Sequence, residues 1–261
     1  MPRFAANLSL MFTELPIHDR FAAAADAGFK GVELLFPYDV ATDTLSRAAR
    51  AAGLKIVLLN TPPPNWSGGP RGFAAVPGLE ARFQSDFKRA LRFAQDLQAR
   101  HINIMAGESS GDEARRVFLR NLIWAAQYAP EVSLTIEPVS PALHPENFLT
   151  SYDQAAALIA EIDAPNLGLQ LDSFHARMMS KDVAATFRTH QAMIRHVQIA
   201  GHPGRQEPSD KDFDLHGFLV MLDDLDYRGY VGAEYEPHGL TRAGLGWLHQ
   251  ALMVKDGTRS A

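Results

Sequence analysis

Cysteine is absent from the 261 residues, which excludes disulfides, thiolate metal sites and cysteine nucleophiles. No stretch approaches the roughly 18 consecutive apolar residues that a membrane-spanning helix needs. The opening MPRFAANLSLMF carries one early charge and then polar residues where a signal peptide would hold a long apolar core. An excess of positive charge is missing as well. Twenty-five Lys and Arg stand against 30 Asp and Glu, for a net charge of −5 and a pI near 6.0. Nothing in that balance draws the chain to a phosphate backbone or an anionic bilayer. Neither a GxGxxG nor a Walker pattern occurs, and there is no low-complexity tract, heptad array or short repeat. These absences lead us to expect a cytoplasmic enzyme with a small-molecule substrate and without nucleic acid or membrane partners; a homo-oligomer stays open.

What is present is a rhythm. With 46% apolar residues the chain can bury a full core. Strand-like runs are expected at 4–10, 31–36, 54–59, 101–106, 132–138, 167–172, 195–200 and 230–236. Segments of helical spacing follow them at 18–28, 42–53, 80–98, 113–129, 150–162, 181–193, 214–225 and 242–254. Thr42 and Thr150 are expected as N-caps, and Gly28 and Gly53 as helix ends. Eight strands, each followed by a helix and joined mostly by short connections, predict a single α/β domain over 1–261, a (β/α)8 TIM barrel. The one long irregular insert is the Pro/Gly-rich 61–78. It follows the third strand and is therefore expected over the catalytic mouth.

In such barrels the chemistry sits at the C-terminal ends of the strands. Read in order, those ends carry Glu33, Asn60, Glu137, Asp172 with His175, Gln198 with His202, and Glu234. Taken singly, each has an ordinary structural explanation as a rim carboxylate or a satisfied core histidine. As a set they are harder to dismiss, because Glu137, Asp172, Gln198 and Glu234 end four successive strands. Carboxylates crowded in a closed mouth repel one another and lose hydration, at a cost of several kcal/mol. One divalent cation removes that penalty, and oxygen-only ligands favour Mg2+ or Mn2+ over Zn2+. Glu33 is expected to orient a ligand or to pair with a pocket arginine. Gln170, on the same strand face as Asp172 but deeper, is expected to support the site.

At these residues the chain resembles the hydroxypyruvate isomerase family of the xylose isomerase-like barrels. The likeness is carried by 6-ANLSLMFTE-14, 32-VELLFPYD-39, 60-NTPPPNWSGGPRGFAAVPG-78, 134-LTIEPVS-140, 169-LQLDSFH-175, 196-HVQIAGHPGRQEP-208 and 232-GAEYEP-237, which together span nearly the whole chain. The resemblance implies a metal bound by Glu137, Asp172, Gln198 and Glu234, with Glu137 and Glu234 as the acid/base pair. It implies that His175 lines the pocket, and that Arg205 and Glu207 lie on a substrate-closing loop. Asn60, Trp66 and Arg71 are further candidates for substrate contact. The implied reaction is aldose–ketose isomerisation of a short hydroxy-keto acid, hydroxypyruvate to tartronate semialdehyde, through a metal-stabilised enediolate. On the same site the alternatives are a 2-oxo-tetronate isomerase or a ketose 3-epimerase, and more remotely an enzyme like the abasic-site endonucleases. The chain departs from the family pattern at Glu236, where a basic residue is usual, and at 141–149 and 212–217. Strand alternation places Glu236 above Glu234, toward the rim.

Overall fold

The run of Ala, Val, Ile and Leu in each expected strand suits a strand covered on both faces, as parallel sheets are. The computed structural model, which describes residues 2–62, 71–211 and 213–257, closes these strands into a ring. In order they are β1 (Arg3–Asn7), β2 (Gly31–Leu34), β3 (Lys55–Asn60), β4 (His101–Asn103), β5 (Ser133–Ile136), β6 (Leu167–Asp172), β7 (Ile194–Ile199) and β8 (Tyr230–Ala233). All neighbours are parallel, and β8 pairs back onto β1, so no edge is left open. The protein is thus a (β/α)8 barrel.

The helices are α1 (Ile17–Asp26), α2 (Thr42–Ala51), α3 (Glu80–Leu97), α4 (Gly111–Tyr128), α5 (Tyr152–Ile162), α6 (Ser173–Met178), α7 (Val183–His190), α8 (Leu215–Asp224) and α9 (Gly246–Gly257). Outward strand residues such as Phe4, Val32, Ile102, Leu134, Leu171 and Val231 join them in one buried apolar cluster. Gly28 and Gly53 follow the C-caps of α1 and α2 with φ of 102° and 67°, as expected of helix-ending glycines. Two expected caps are corrected. Ala41 precedes α2, and Thr42 instead donates to Asp96; Ser151, not Thr150, caps α5, its Oγ accepting from the Gln154 amide. Several strands are also shorter than the apolar pattern, which runs on into loops: β1 ends at Asn7, β4 at Asn103 and β8 at Ala233. The short helix α6 was absent from the sequence reading, because six residues are too few to show a period. No helix among the described residues is long and apolar enough to cross a membrane.

Inside the barrel the chemistry changes from apolar to polar. Ala5, Val57, Leu58 and Tyr230 form a small separate apolar cluster. Asn7, Glu33, Asn103, Thr135, Gln170, Asp172, His196 and Gln198 are all buried polar or charged groups. Such groups are tolerable only where each finds a partner.

Candidate active site

Register brings the expected site residues together. Asp172 pairs with Gln198 across β6 and β7, and Gln198 pairs with Gly232 across β7 and β8. Glu137 and Glu234 come directly after the last residues of β5 and β8. Asp172 also caps α6, its Oδ1 accepting from the Phe174 amide at 2.9 Å. That leaves Oδ2 to accept from Arg205 Nη2 at 3.1 Å, while Glu234 Oε1 accepts from the same nitrogen at 2.8 Å. Glu137 Oε2 accepts from Asn103 Nδ2 at 3.3 Å, and Asn103 also donates to Asn60 Oδ1 at 3.1 Å.

Gln198 is held from two sides. Its Nε2 donates to Glu33 Oε2 at 2.8 Å, and its Oε1 accepts from Gln170 Nε2 at 2.7 Å. Gln170 in turn accepts from the Thr135 hydroxyl at 3.3 Å, which is the supporting position expected of it. Glu33 also accepts from Asn7 Nδ2 and lies 2.5 Å from His196 Nε2. The carboxylate fits there because residue 232 is glycine: a Cβ at that position would stand 1.9 Å from Glu33 Oε1. Of the two roles expected for Glu33, orienting a site residue is the one its contacts serve. Its ring partner is His196, and no pocket arginine reaches it among the described residues.

Confinement raises the proton affinity of all three carboxylates. Burial, then the charges of Glu234 and Asp172, push Glu137 well above the usual carboxylate range. Burial lifts Glu234 to about 8 against the opposing pull of Arg205. Asp172 is lifted to about 6 by burial, with Arg205 and the Phe174 amide opposing. With all three ionised and Arg205 among them, the formal charge is −2, which one divalent cation cancels.

Glu137, Asp172 and His175 place donor atoms within 4.8 Å of one another, a spacing a metal ion could use. The imidazole is nevertheless the wrong tautomer for a ligand. His175 Nδ1 accepts from the Ser140 amide at 3.2 Å, so the proton of the neutral ring sits on Nε2. Burial first, then Arg205, His144 and Arg71, hold that ring well below the ordinary histidine range, so it stays neutral. His175 Nε2, 3.8 Å from Asp172 Oδ2, is therefore a hydrogen-bond donor facing the site. That leaves the carboxylate oxygens of Glu137 and Asp172 as the closely spaced donors a cation could use.

Above these groups lies a cavity of about 50 Å³, lined by Asn60, Arg71, Asn103, His144, His175 and Arg205 among others. Asn103 Oδ1 is buried there with no hydrogen-bond partner among the described residues. Glu207 does not line the cavity, and its carboxylate accepts from the His238 amide at 3.1 and 3.3 Å. Glu236 is exposed, and its amide donates to Arg205 O at 2.9 Å. Trp66 lies outside the described residues, as do the other residues of 63–70 in the insert expected over the mouth. Sequence reading missed Asn103 and gave no role to His144, a loop histidine that could approach the mouth. Asn103 alternates with His101 in β4 and was open to the same argument as Asn60, whereas His144 sits in a loop with no period to mark it.

The sequence pattern of the family described as xylose isomerase-like TIM barrel matches residues 21–251. The 2-oxo-tetronate isomerase of Cupriavidus necator is 42% identical over 97% of this chain and 99% of its own. The hydroxypyruvate isomerase of Escherichia coli is 35% identical over 95% of this chain and 98% of its own. A crystal structure from Brucella melitensis, described as an AP endonuclease of family 2, superimposes with a TM-score of 0.92 at 38% identity, covering 96% of this chain and 99% of that one.

Proposed function

The chain belongs to the xylose isomerase-like TIM barrel family, and from that premise we propose that it is a metal-dependent isomerase of a short 2-oxo acid bearing a hydroxyl beside the carbonyl. The three-carbon case is hydroxypyruvate to tartronate semialdehyde; 2-oxo-tetronate is the same chemistry one carbon longer. Both activities are named among relatives at 35–42% identity. The observation that carries the reading is the pair Glu137 and Glu234: two carboxylates of raised proton affinity that line one small cavity.

Glu137, Asp172, Gln198 and Glu234 would hold a divalent ion, which would supply Lewis-acid charge to the substrate's oxygens. The protein's own groups do the rest. One glutamate, ionised at the start, removes the proton from the hydroxyl-bearing carbon; the hydroxyl proton passes to the former carbonyl oxygen, and the other glutamate, protonated at the start, gives its proton to the former carbonyl carbon. Between the two steps the substrate is an enediolate, whose charge Arg205 and the Nε2–H of His175 face. The free Oδ1 of Asn103 is placed to accept from a substrate hydroxyl. No redox cofactor enters, because the reaction moves hydrogen within one molecule.

The test is turnover by purified protein with Mg2+ or Mn2+ across three- to six-carbon oxo acids and ketoses. Clear turnover of ketoses with none of any oxo acid would sink the proposal.

A further inference from the structure

Both sides of the cavity carry carboxylates, Glu108 and Glu137 on one and Glu234 on the other, but they differ in how their cations are engaged. On the β6–β8 side the one cation lining the cavity among the described residues, Arg205, is already shared between Asp172 and Glu234. Glu236 adds further negative charge there and acts on Arg205. A substrate carboxylate would find that side closed to it.

The opposite side is a wall of three loops, those after β3, β4 and β5. Gly72 pairs with Ala106 and Glu108 with Asn147 as isolated antiparallel bridges. The Ala75 amide donates to Ala106 O at 2.7 Å, and the Phe148 amide donates to Gly107 O at 2.9 Å. The contact between the first two loops is close enough to demand glycine. Gly72 and Gly107 have φ of 93° and 92°, and a Cβ on Gly107 would lie 2.3 Å from Gly72 O. From the two outer loops of this wall Arg71 and His144 reach the cavity. Neither side chain makes a hydrogen bond or ion pair with another described residue. They are nevertheless within electrostatic reach of each other and of His175, and His144 of Arg205 as well.

We propose that Arg71 and His144 form the subsite for the substrate's carboxylate, so that the loop wall selects 2-oxo acids over uncharged ketoses. Arg71 supplies the full charge and the planar fork that matches a carboxylate. His144, kept neutral by burial and by the two arginines, supplies a ring N–H. Carboxylate held at the wall leaves the carbonyl and hydroxyl carbons between Glu137 and Glu234. The inference rests on the isomerase reading above for which atoms react, but not for where the carboxylate binds.

The experiment compares wild type, Arg71→Met, Arg71→Lys and His144→Leu in two assays with Mn2+ present. Steady-state kinetics are measured on hydroxypyruvate and on dihydroxyacetone, which has a hydroxymethyl group in place of the carboxylate. Calorimetry measures binding of D-glycerate, a hydroxy acid that cannot isomerise. Arg71→Met should raise KM for hydroxypyruvate and Kd for D-glycerate by roughly 10- to 100-fold, the size of one hydrogen bond to a charged group. Its kcat should change far less, dihydroxyacetone kinetics should hardly move, and Arg71→Lys should recover part of the loss. His144→Leu should show the same pattern at smaller size. Equal losses on acid and ketone, or a fall in kcat at unchanged KM, would overturn the subsite. If wild type turns over no oxo acid but binds D-glycerate through Arg71, the isomerase reading fails and the subsite stands; binding indifferent to Arg71→Met removes the subsite itself.

Discussion

The Glu33 carboxylate accepts a hydrogen bond from the Gln198 side-chain amide at 2.8 Å, and this contact decides which end of that amide faces the carboxylates. With Nε2 engaged by Glu33, the oxygen is the end left for a cation, shared with the Gln170 donor. Replacing Glu33 by Gln keeps the shape but lets the partner donate as well as accept. Metal affinity or activity should fall roughly 10- to 100-fold, the usual cost of losing a group that orients a ligand. Calorimetric titration with Mn2+ beside far-UV circular dichroism separates this from unfolding; unaltered affinity would remove Glu33 from the site's support.

Glu137→Gln removes a base while keeping a neutral amide of the same size. Turnover should drop ~100- to 10,000-fold, and exchange of the substrate's carbon-bound proton with deuterated solvent should vanish with it. Mn2+ binding should weaken yet persist, since three oxygen donors remain. An unchanged rate would rule out the proton-transfer role.

Stability of the metal-free protein should fall as pH rises from 6.5 to 8.5. Glu234 has its proton affinity raised to about 8 in the folded chain, against ~4.3 when unfolded. Between those values the folded state binds more protons than the unfolded one, so raising pH favours unfolding. An unfolded histidine still carries part of its charge near pH 6.5 and loses it by about 7.5, so His101 and His175, held neutral in the folded chain, oppose the slope only at the acid end of this range. A cation that binds the ionised carboxylates should reverse the trend, giving its largest rise in Tm at the alkaline end. Melting curves with and without Mn2+ at several pH values check this; a Tm that climbs with pH in the metal-free protein would contradict it.

Gly107→Ala should cost about 1–3 kcal/mol through strain at positive φ, since the new methyl would stand 2.3 Å from Gly72 O. The bridges that hold the Arg71 loop would loosen, and KM for an oxo acid should rise alongside the loss in urea stability. Gly239→Ala is the control, because a Cβ there meets nothing within 4 Å. Equal effects at both positions would mean that the loop wall is not held by this contact.

The barrel was legible in the sequence because its cause is local. Alternating strand and helix periods over 261 residues leave few arrangements that bury every apolar face, and a closed ring is the one that leaves no edge. That polar strand ends would meet at one mouth was legible for the same reason: strand ends of a barrel point to one place.

What each residue does once there came only from contacts between distant parts of the chain. No pattern in 169-LQLDSFH-175 tells that the Ser140 amide makes His175 a donor rather than a ligand. Nor does any tell that Asp172 divides its oxygens between a helix start and Arg205. Glu33 finds Gln198, 165 positions away, because Gly232 leaves it room. Glu207, two residues from Arg205, turns instead to His238. Composition and period determine which side chains reach the mouth of the barrel. Hydrogen-bond partners, tautomers and proton affinities depend on packing within a few ångströms, and only the closed tertiary structure sets those distances.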